Sequence, residues 1–354
     1  MEFGLSEEQT LLVDTVNRFL DDASPLDRVR KFAADPNDTD IWQGLVDIGI
    51  SGLLVSEDAG GTGLRHVEAA LVAEALGNHV TPSPYLGSAV VLPSVLNATD
   101  PGATLLGELA AGKVRCGLAL SGATGARAGT AVVARNGRLT GKVAFVLDYP
   151  ASVYLVADAA GSLHLVDANA SGLSHRRLTT VDASRPVGEI VLADSPATCL
   201  SNDPEVLARA LDVARVMLAA DTLGAAQNML DQAVAYALQR EQFDRPIATF
   251  QAVKHMCAEM AADLEPCRAF VWYAAHALDE LPDEARLTAC HLKAHIAEVG
   301  QFVSKTATEV HGGMGFTDLV GLHYWFKRIG LNRQVLGTPE WLRDEAARLQ
   351  GLVA

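Results

Sequence analysis

Residues 236–260 read YALQREQFDRPIATFQAVKHMCAEM, and the reading of this stretch decides the fold. Upstream, apolar residues recur at helical spacing through Val206, Ala210, Val213, Met217, Ala220, Leu223, Ala226, Leu230, Val234 and Ala237, so one long helix runs into it. Pro246 suits the first turn of a second helix, and Thr249 stands as its cap ahead of Phe250 and Val253. Arg240 then falls in the last turn of the first helix, Phe243 in the connection and Gln251 at the mouth of the second. A cation, an aromatic ring and an amide converging on a helix N-terminus make an anion site. The simpler reading is an arginine complementing the helix dipole and a phenylalanine stapling a turn, and chemistry alone favours it.

Outward from this stretch, the chain changes character twice. Its 354 residues are enough for two or three substructures, and 49% apolar with only 6% aromatic residues suits helical bundles. A net charge of −15 argues against a nucleic-acid partner. No apolar run reaches transmembrane length and the start is unlike a signal peptide, so a soluble, cytoplasmic protein with no membrane partner is expected. Cys116, Cys199, Cys257, Cys267 and Cys290 show neither a C-x-x-C pair nor metal spacing and are expected to be isolated buried thiols, with no metal site.

Residues 1–112 read as helical. Ser6 and Gln9 form a capping box, Pro36, Asn37 and Asp38 mark a break before a helix carrying Trp42, Leu45 and Ile48, and a helix through Glu68, Leu71 and Ala75 ends at Gly77. Gly60-Gly61-Thr62-Gly63 lacks a lysine and follows no clear strand, so it turns the chain between helices rather than binding phosphate. Residues 113–200 hold short β-rich runs at Val114–Leu120, Thr130–Ala134, Leu139–Val146, Val153–Ala157, Leu163–Val166 and Val187–Leu192, the pattern of a small antiparallel barrel or sandwich. Residues 201–354 return to helix, with Pro204, Pro246, Pro282 and Pro339 near helix starts, while Asn332 and Arg333 read as a surface loop.

The run R-E-x-F-x-x-P-I-x-x-F-Q from Arg240 to Gln251 resembles the acyl-CoA dehydrogenase signature R-x-x-F-G-x-x-[IL]-x-x-x-Q. Two further elements fall in family order: GISGLLVSEDAGGTGL (Gly49 to Leu64), followed by Glu68 and Glu74, and EVHGGMGFT (Glu309 to Thr317). The resemblance implies an α+β fold: an N-terminal helical domain (1–112), a central small β-barrel or sandwich (113–200) and a C-terminal four-helix bundle (201–354). It also implies FAD-dependent α,β-desaturation of an acyl-CoA thioester. A glutamate takes the Cα proton, the Cβ hydrogen leaves as hydride to flavin N5, and electrons pass on to an electron-transfer flavoprotein. The positions matching contacts to a neighbouring subunit's FAD are Arg240, Phe243 and Gln251. Glu309, Gly312 and Gly313 match the run that cradles the ADP end, Thr338 matches the cofactor side of Y-E-G-T, and Arg215 and Asp212 match positions facing acyl-CoA.

Several positions depart from the family. Glu309 stands where glutamine is usual, and a carboxylate there repels a pyrophosphate. The loop that normally reads T-E-P-x-A-G-S-D is Leu120-Ser121-Gly122-Ala123-Thr124-Gly125-Ala126. The aromatic-I-T-N element is Ala144-Phe145-Val146-Leu147-Asp148, so Leu147 cannot bond flavin N5 and only Ser121 or Thr124 is at hand to compensate. The base is absent from both family positions: Y-E-G-T is Val335-Leu336-Gly337-Thr338, and the alternative glutamate before Arg215 is Ala214. Asp212, Asp221 and Glu340 are the nearby carboxylates; two residues before Ala214 on a helix, Asp212 points about 200° away, and Glu340 reaches in only if its loop is re-registered. The chain keeps what faces a neighbour and lacks what serves its own flavin. That is the pattern of the degenerate subunit in α2β2 members acting on steroid side chains. The alternatives are a self-sufficient homotetramer with a relocated base, a flavin oxidase or monooxygenase of the same fold, and a non-catalytic scaffold.

Overall fold

The computed structural model describes residues 4–35, 40–124 and 131–353; the expected break at Pro36–Asp38, and Gly125, Ala126 and Thr130, lie outside the described residues. Six helices come first: α1 (Glu7–Ala23), α2 (Leu26–Ala34), α3 (Asp40–Asp47), α4 (His66–Asn78), α5 (Leu92–Thr99) and α6 (Thr104–Ala110). Ser6 and Gln9 cap α1 reciprocally, as the sequence predicts. A π-helical turn, Leu86–Val91, leads into α5. Gly60 is left-handed, and a Cβ on Gly61 would run into the Val55 carbonyl, so these glycines serve a tight turn.

Eight strands follow: β1 (Cys116–Ala119), β2 (Val133–Arg135), β3 (Arg138–Val146), β4 (Val153–Ala157), β5 (Leu163–Asp167), β6 (Leu173–Leu178), β7 (Val187–Pro196) and β8 (Thr198–Ser201). They form two four-stranded sheets, ordered β1-β4-β5-β8 and β2-β3-β7-β6. Tyr154, Val156 and Val166 of the first interdigitate with Leu139, Val143, Ile190 and Leu192 of the second, which makes a sandwich. The expected antiparallel pairing holds except that β1 runs parallel to β4. β6 and β8 escaped the sequence reading because both are edge strands whose side chains are mostly exposed, so they carry no apolar alternation.

The C-terminal bundle comprises α7 (Pro204–Gln239), α8 (Gln251–Glu280), α9 (Pro282–His311), α10 (His323–Gln334) and α11 (Pro339–Leu349). Pro204, Pro282 and Pro339 take the first helical position, where a missing N–H costs nothing. Pro246 does not. It lies in a hairpin of β9 (Glu241–Gln242) and β10 (Arg245–Pro246), the Thr249 hydroxyl donates to the Pro246 carbonyl at 2.7 Å, and no side chain caps α8. α7 is buried continuously from Ala210 to Ala226 and lies against α4 so closely that a Cβ on Gly77 or Gly224 would strike the facing backbone. The loop expected at Asn332 and Arg333 is instead the last turn of α10, with Asn332 buried, because its amide bonds Asp221 at 2.6 Å and Thr222 at 3.1 Å. The five cysteines are unbridged; Cys116, Cys267 and Cys290 are buried as expected, but Cys199 is exposed. Among the described residues no helix is long and apolar enough to cross a membrane, and no three His, Cys, Asp or Glu side chains group to hold a metal.

Candidate functional site

The residues assigned from sequence separate into two places. One is the bundle end where α7 and α9 both terminate, joined by the stacked rings of Tyr236 and His311 at 4.6 Å. Arg240 caps the C-terminus of α7, and the hairpin turns through Phe243 and Asp244, both at positive φ (54° and 60°). A two-residue loop of that hand is the turn that normally takes asparagine and glycine. Phe243 is 86% exposed, its ring edge meets Phe250 at 6.1 Å, and Arg245 lies over Phe250 at 4.2 Å. Gln251 opens α8, whose first N–H groups point outward without a side-chain cap. Glu309, Gly312 and Gly313 end α9 on the same face, exposed; Gly312 has φ 58°, and a Cβ on either glycine would meet nothing within 4 Å. Arg240, Phe243, Gln251, Glu309, Gly312 and Gly313 are thus gathered on one open end. Phe316 and Leu319, in the turn that follows α9, are 79% and 78% exposed and were missed in the sequence, although Phe316 lies within the quoted EVHGGMGFT run.

The other place is a cleft of about 610 Å³ between sandwich and bundle. Ser121, Thr124, Phe145 and Val181 line one wall; Leu331, Gln334, Val335, Leu336, Gly337, Thr338 and Trp341 line the other. Among the described residues no charged side chain lines it. The Ser121 hydroxyl donates to the Ala144 carbonyl and that of Thr124 to the Ser121 carbonyl at 3.2 Å, so both protons are committed within the chain. Thr338 faces the cleft while its hydroxyl accepts from the Trp341 N–H at 3.4 Å. Phe145 and Leu336, on opposite walls, both sit at φ 56°, a conformation worth about 1–3 kcal/mol of strain in a non-glycine residue.

Behind the cleft two buried cations hold the Leu336 turn. Arg215 donates Nε to the Leu336 carbonyl at 3.2 Å, meets Glu345 at 3.0 and 3.3 Å and Asp212 at 3.2 Å, and lies 5.1 Å over Trp341. Asp212 also accepts from Arg286 at 3.3 Å; burial pushes its carboxyl up to about 6 against the pull of both arginines. Arg215 and Asp212, assigned to acyl-CoA, thus meet each other inside the chain, and neither lines the cleft. Lys293 donates Nζ to the Asn332 and Gly337 carbonyls at 3.0 and 2.9 Å, and burial lowers its amine to about 7. Ala214 is buried in α7. Glu340 is exposed and pairs with Arg333 at 3.3 Å, away from the cleft lining. Asp221 is buried under Arg328, Arg185 and Asn332. None of the three nearby carboxylates therefore takes the place of a base.

An N-terminal helical domain, a β-sandwich and a helical bundle, with a cleft between the last two, define an acyl-CoA dehydrogenase-type frame. Residues 6–100 match the model for the acyl-CoA dehydrogenase N-terminal domain and residues 205–350 that for the acyl-CoA dehydrogenase C-terminal domain. The chain belongs to the acyl-CoA dehydrogenase family. It is 30% identical over 329 residues to acyl-CoA dehydrogenase FadE34 of Mycobacterium tuberculosis, covering 91% of this chain but only 44% of that one. To acyl-CoA dehydrogenase IpdE2 of the same organism it is 29% identical over 98% of each chain. The Tcur3481-Tcur3483 steroid acyl-CoA dehydrogenase G363A variant superposes with a TM-score of 0.89 at 29% identity over 98% of each chain. The ChsE4-ChsE5 complex from Mycobacterium tuberculosis does so with 0.90 at 25% identity over the full length of both.

Proposed function

We propose that this chain is the base-lacking subunit of an α2β2 acyl-CoA dehydrogenase, working on FAD and acyl-CoA bound chiefly by a partner subunit of the same fold. The observation that carries the reading is the contrast between the two places. The open bundle end keeps a cation, an aromatic ring, an amide and an uncapped helix N-terminus for an anion. Among the described residues, the chain's own cleft is lined by no carboxylate to take a proton from Cα and by no cation to meet a flavin ring.

The bundle end fits the ADP half of FAD in kind. Arg240 would pair with the pyrophosphate, the first N–H groups of α8 and the Gln251 amide would donate to it, and Phe243 would cover the cofactor's apolar face. Gly312 and Gly313 leave room for close approach, whereas Glu309 and the exposed Glu241 and Asp244 of the hairpin oppose an anion. When bound, FAD supplies the acceptor for the hydride leaving Cβ. Electron-transfer flavoprotein is then the expected acceptor for the complex.

Two comparisons support a partner: one similar structure is described as a complex of two proteins, and FadE34, in which the matched stretch makes up 44%, has room for a second unit of this size. The similar steroid enzyme supports a bulky substrate. The test is an absorbance spectrum with native mass of this chain alone and after co-expression with a relative carrying both glutamate and flavin motifs. A colourless chain alone, and about one flavin per two chains in the co-purified complex, is the expected result. A yellow homotetramer with one flavin per chain that desaturates acyl-CoA would overturn the proposal.

A further inference from the structure

Away from both places, at the opposite end of α8 from Gln251, three side chains from three helices converge. His66 opens α4; its Nδ1 lies 2.6 Å from Asp279 Oδ1, and its backbone N–H donates to Asp279 Oδ2 at 3.0 Å. A carboxylate on Nδ1 fixes the proton there and leaves Nε2 as an acceptor. That Nε2 lies 3.0 Å from the hydroxyl of Ser94 on α5. Ser94 Oγ is also 2.7 Å from the Val90 carbonyl in the π-helical turn, so its proton has two acceptors in reach. Burial would raise the Asp279 carboxyl, but its side-chain and backbone bonds from His66 and the nearby charge of Arg65 together outweigh it and hold the group below its usual range.

All three line an open cavity of about 290 Å³, together with Asn97 and Arg209. Asn97, one turn after Ser94, gives one amide hydrogen to the Leu54 carbonyl at 2.8 Å and keeps the other. Arg209 donates to the Leu278 carbonyl at 2.8 Å and, among the described residues, pairs with no carboxylate. The cavity therefore holds a hydroxyl, a base oriented by a carboxylate, and two donors suited to an oxyanion.

We propose that Ser94, His66 and Asp279 form a second, acyl-transfer site that hydrolyses small esters or thioesters, independent of the flavin-linked reading above. Ser94 Oγ attacks the acyl carbon, forming a C–O bond while its proton passes to His66 Nε2. Asn97 and Arg209 face the oxyanion that results. The ester C–O or thioester C–S bond then breaks, and the departing alkoxide or thiolate takes the proton from His66. Water repeats the sequence on the acyl-Ser94 ester and releases the carboxylic acid. Ester and water give acid and alcohol or thiol, with no change of oxidation state.

The test uses the full-length chain with a fluorophosphonate probe, read by peptide mass spectrometry, and p-nitrophenyl acetate as substrate. The expected result is one label per chain on Ser94. Hydrolysis should fall at least about 100-fold in Ser94→Ala and His66→Gln. Ser94→Ala removes one oxygen from a half-buried site and should leave the unfolding midpoint unchanged. Absence of label, or a Ser94→Ala variant that hydrolyses as fast as the parent, would reduce the trio to a structural tie between α4, α5 and α8.

Discussion

At Leu336 an isobutyl side chain occupies a turn whose backbone is held in a strained, left-handed shape by two buried cations. Arg215 reaches the Leu336 carbonyl with carboxylates to balance it, whereas Lys293 reaches the next carbonyl with no carboxylate bonded to it among the described residues. Burial accordingly lowers the Lys293 amine from its ordinary 10.5 to about 7. Between those two pH values the unfolded chain holds the proton and the folded chain does not, so this group makes stability rise with pH across that window. Lys293→Met should remove that rise. The check is the difference in urea midpoint between variant and parent from pH 7 to 10, which cancels the tyrosine and cysteine titrations common to both. A difference that stays constant over that range would mean that the amine keeps its ordinary affinity in the fold. Lys293 has no signature in the sequence: a lysine within an apolar helical pattern reads as a solvated position until the carbonyls at the end of α10 are seen above it.

On the proposed reading, the hairpin between α7 and α8 is the element that serves the partner subunit's cofactor. A phenylalanine in a left-handed turn position, 86% exposed, is unfavourable both for backbone and for solvation. Phe243→Asn supplies the residue that such a loop favours and should leave stability unchanged or raise it by about 0.4–1 kcal/mol. Co-purification with a full-motif relative should fall at the same time, read as the fraction of chain recovered at tetramer mass. A variant that is destabilised, or that assembles as well as the parent, would argue that Phe243 serves the hairpin itself. Much of this element was legible in the sequence. Arg240 and Gln251 stand at the helix ends that the apolar periodicity predicts, because that period depends only on residues near in sequence. Pro246 and Thr249 misled because a proline followed by a hydroxyl looks the same at the close of a β-hairpin as at the start of a helix; only the pairing of Arg245 with Gln242 separates the two. The cleft was legible only as missing motifs, since its walls come from residues some 200 positions apart.

Across the whole molecule, the three substructures are tied together at one buried carboxylate. Asp221 of α7 accepts from Arg328 of α10 at 2.8 and 2.9 Å, from Arg185 just before β7 at 2.9 Å and from Asn332 at 2.6 Å. Arg328 continues to the Thr81 carbonyl beyond α4 at 3.3 Å and to Ser184 at 3.2 Å, so one guanidinium touches all three parts. Burial alone would raise the Asp221 carboxyl, but Arg328 and Arg185 outweigh it and hold it at about 2. Its contribution to stability is therefore complete above the ordinary value of 3.8 and is lost as pH falls through about 2. Breaking such a network from one side leaves buried charge without its partner, which costs about 3–5 kcal/mol. Asp221→Asn keeps the shape and removes the charge, so it should lower stability by that amount at neutral pH. The loss should fall on the joint between sandwich and bundle, because Arg185 and Ser184 enter from the sandwich side. The four tryptophans all lie in helices (Trp42 in α3, Trp272 in α8, Trp325 in α10, Trp341 in α11), so their fluorescence follows the helical parts alone. Amide exchange in β3, β4 and β7 follows the sandwich. In the parent chain both should report one transition in urea; in Asp221→Asn the sandwich amides should exchange at lower urea than the fluorescence midpoint. Coincident transitions with a loss below about 1 kcal/mol would show that apolar packing, not this carboxylate, joins the parts.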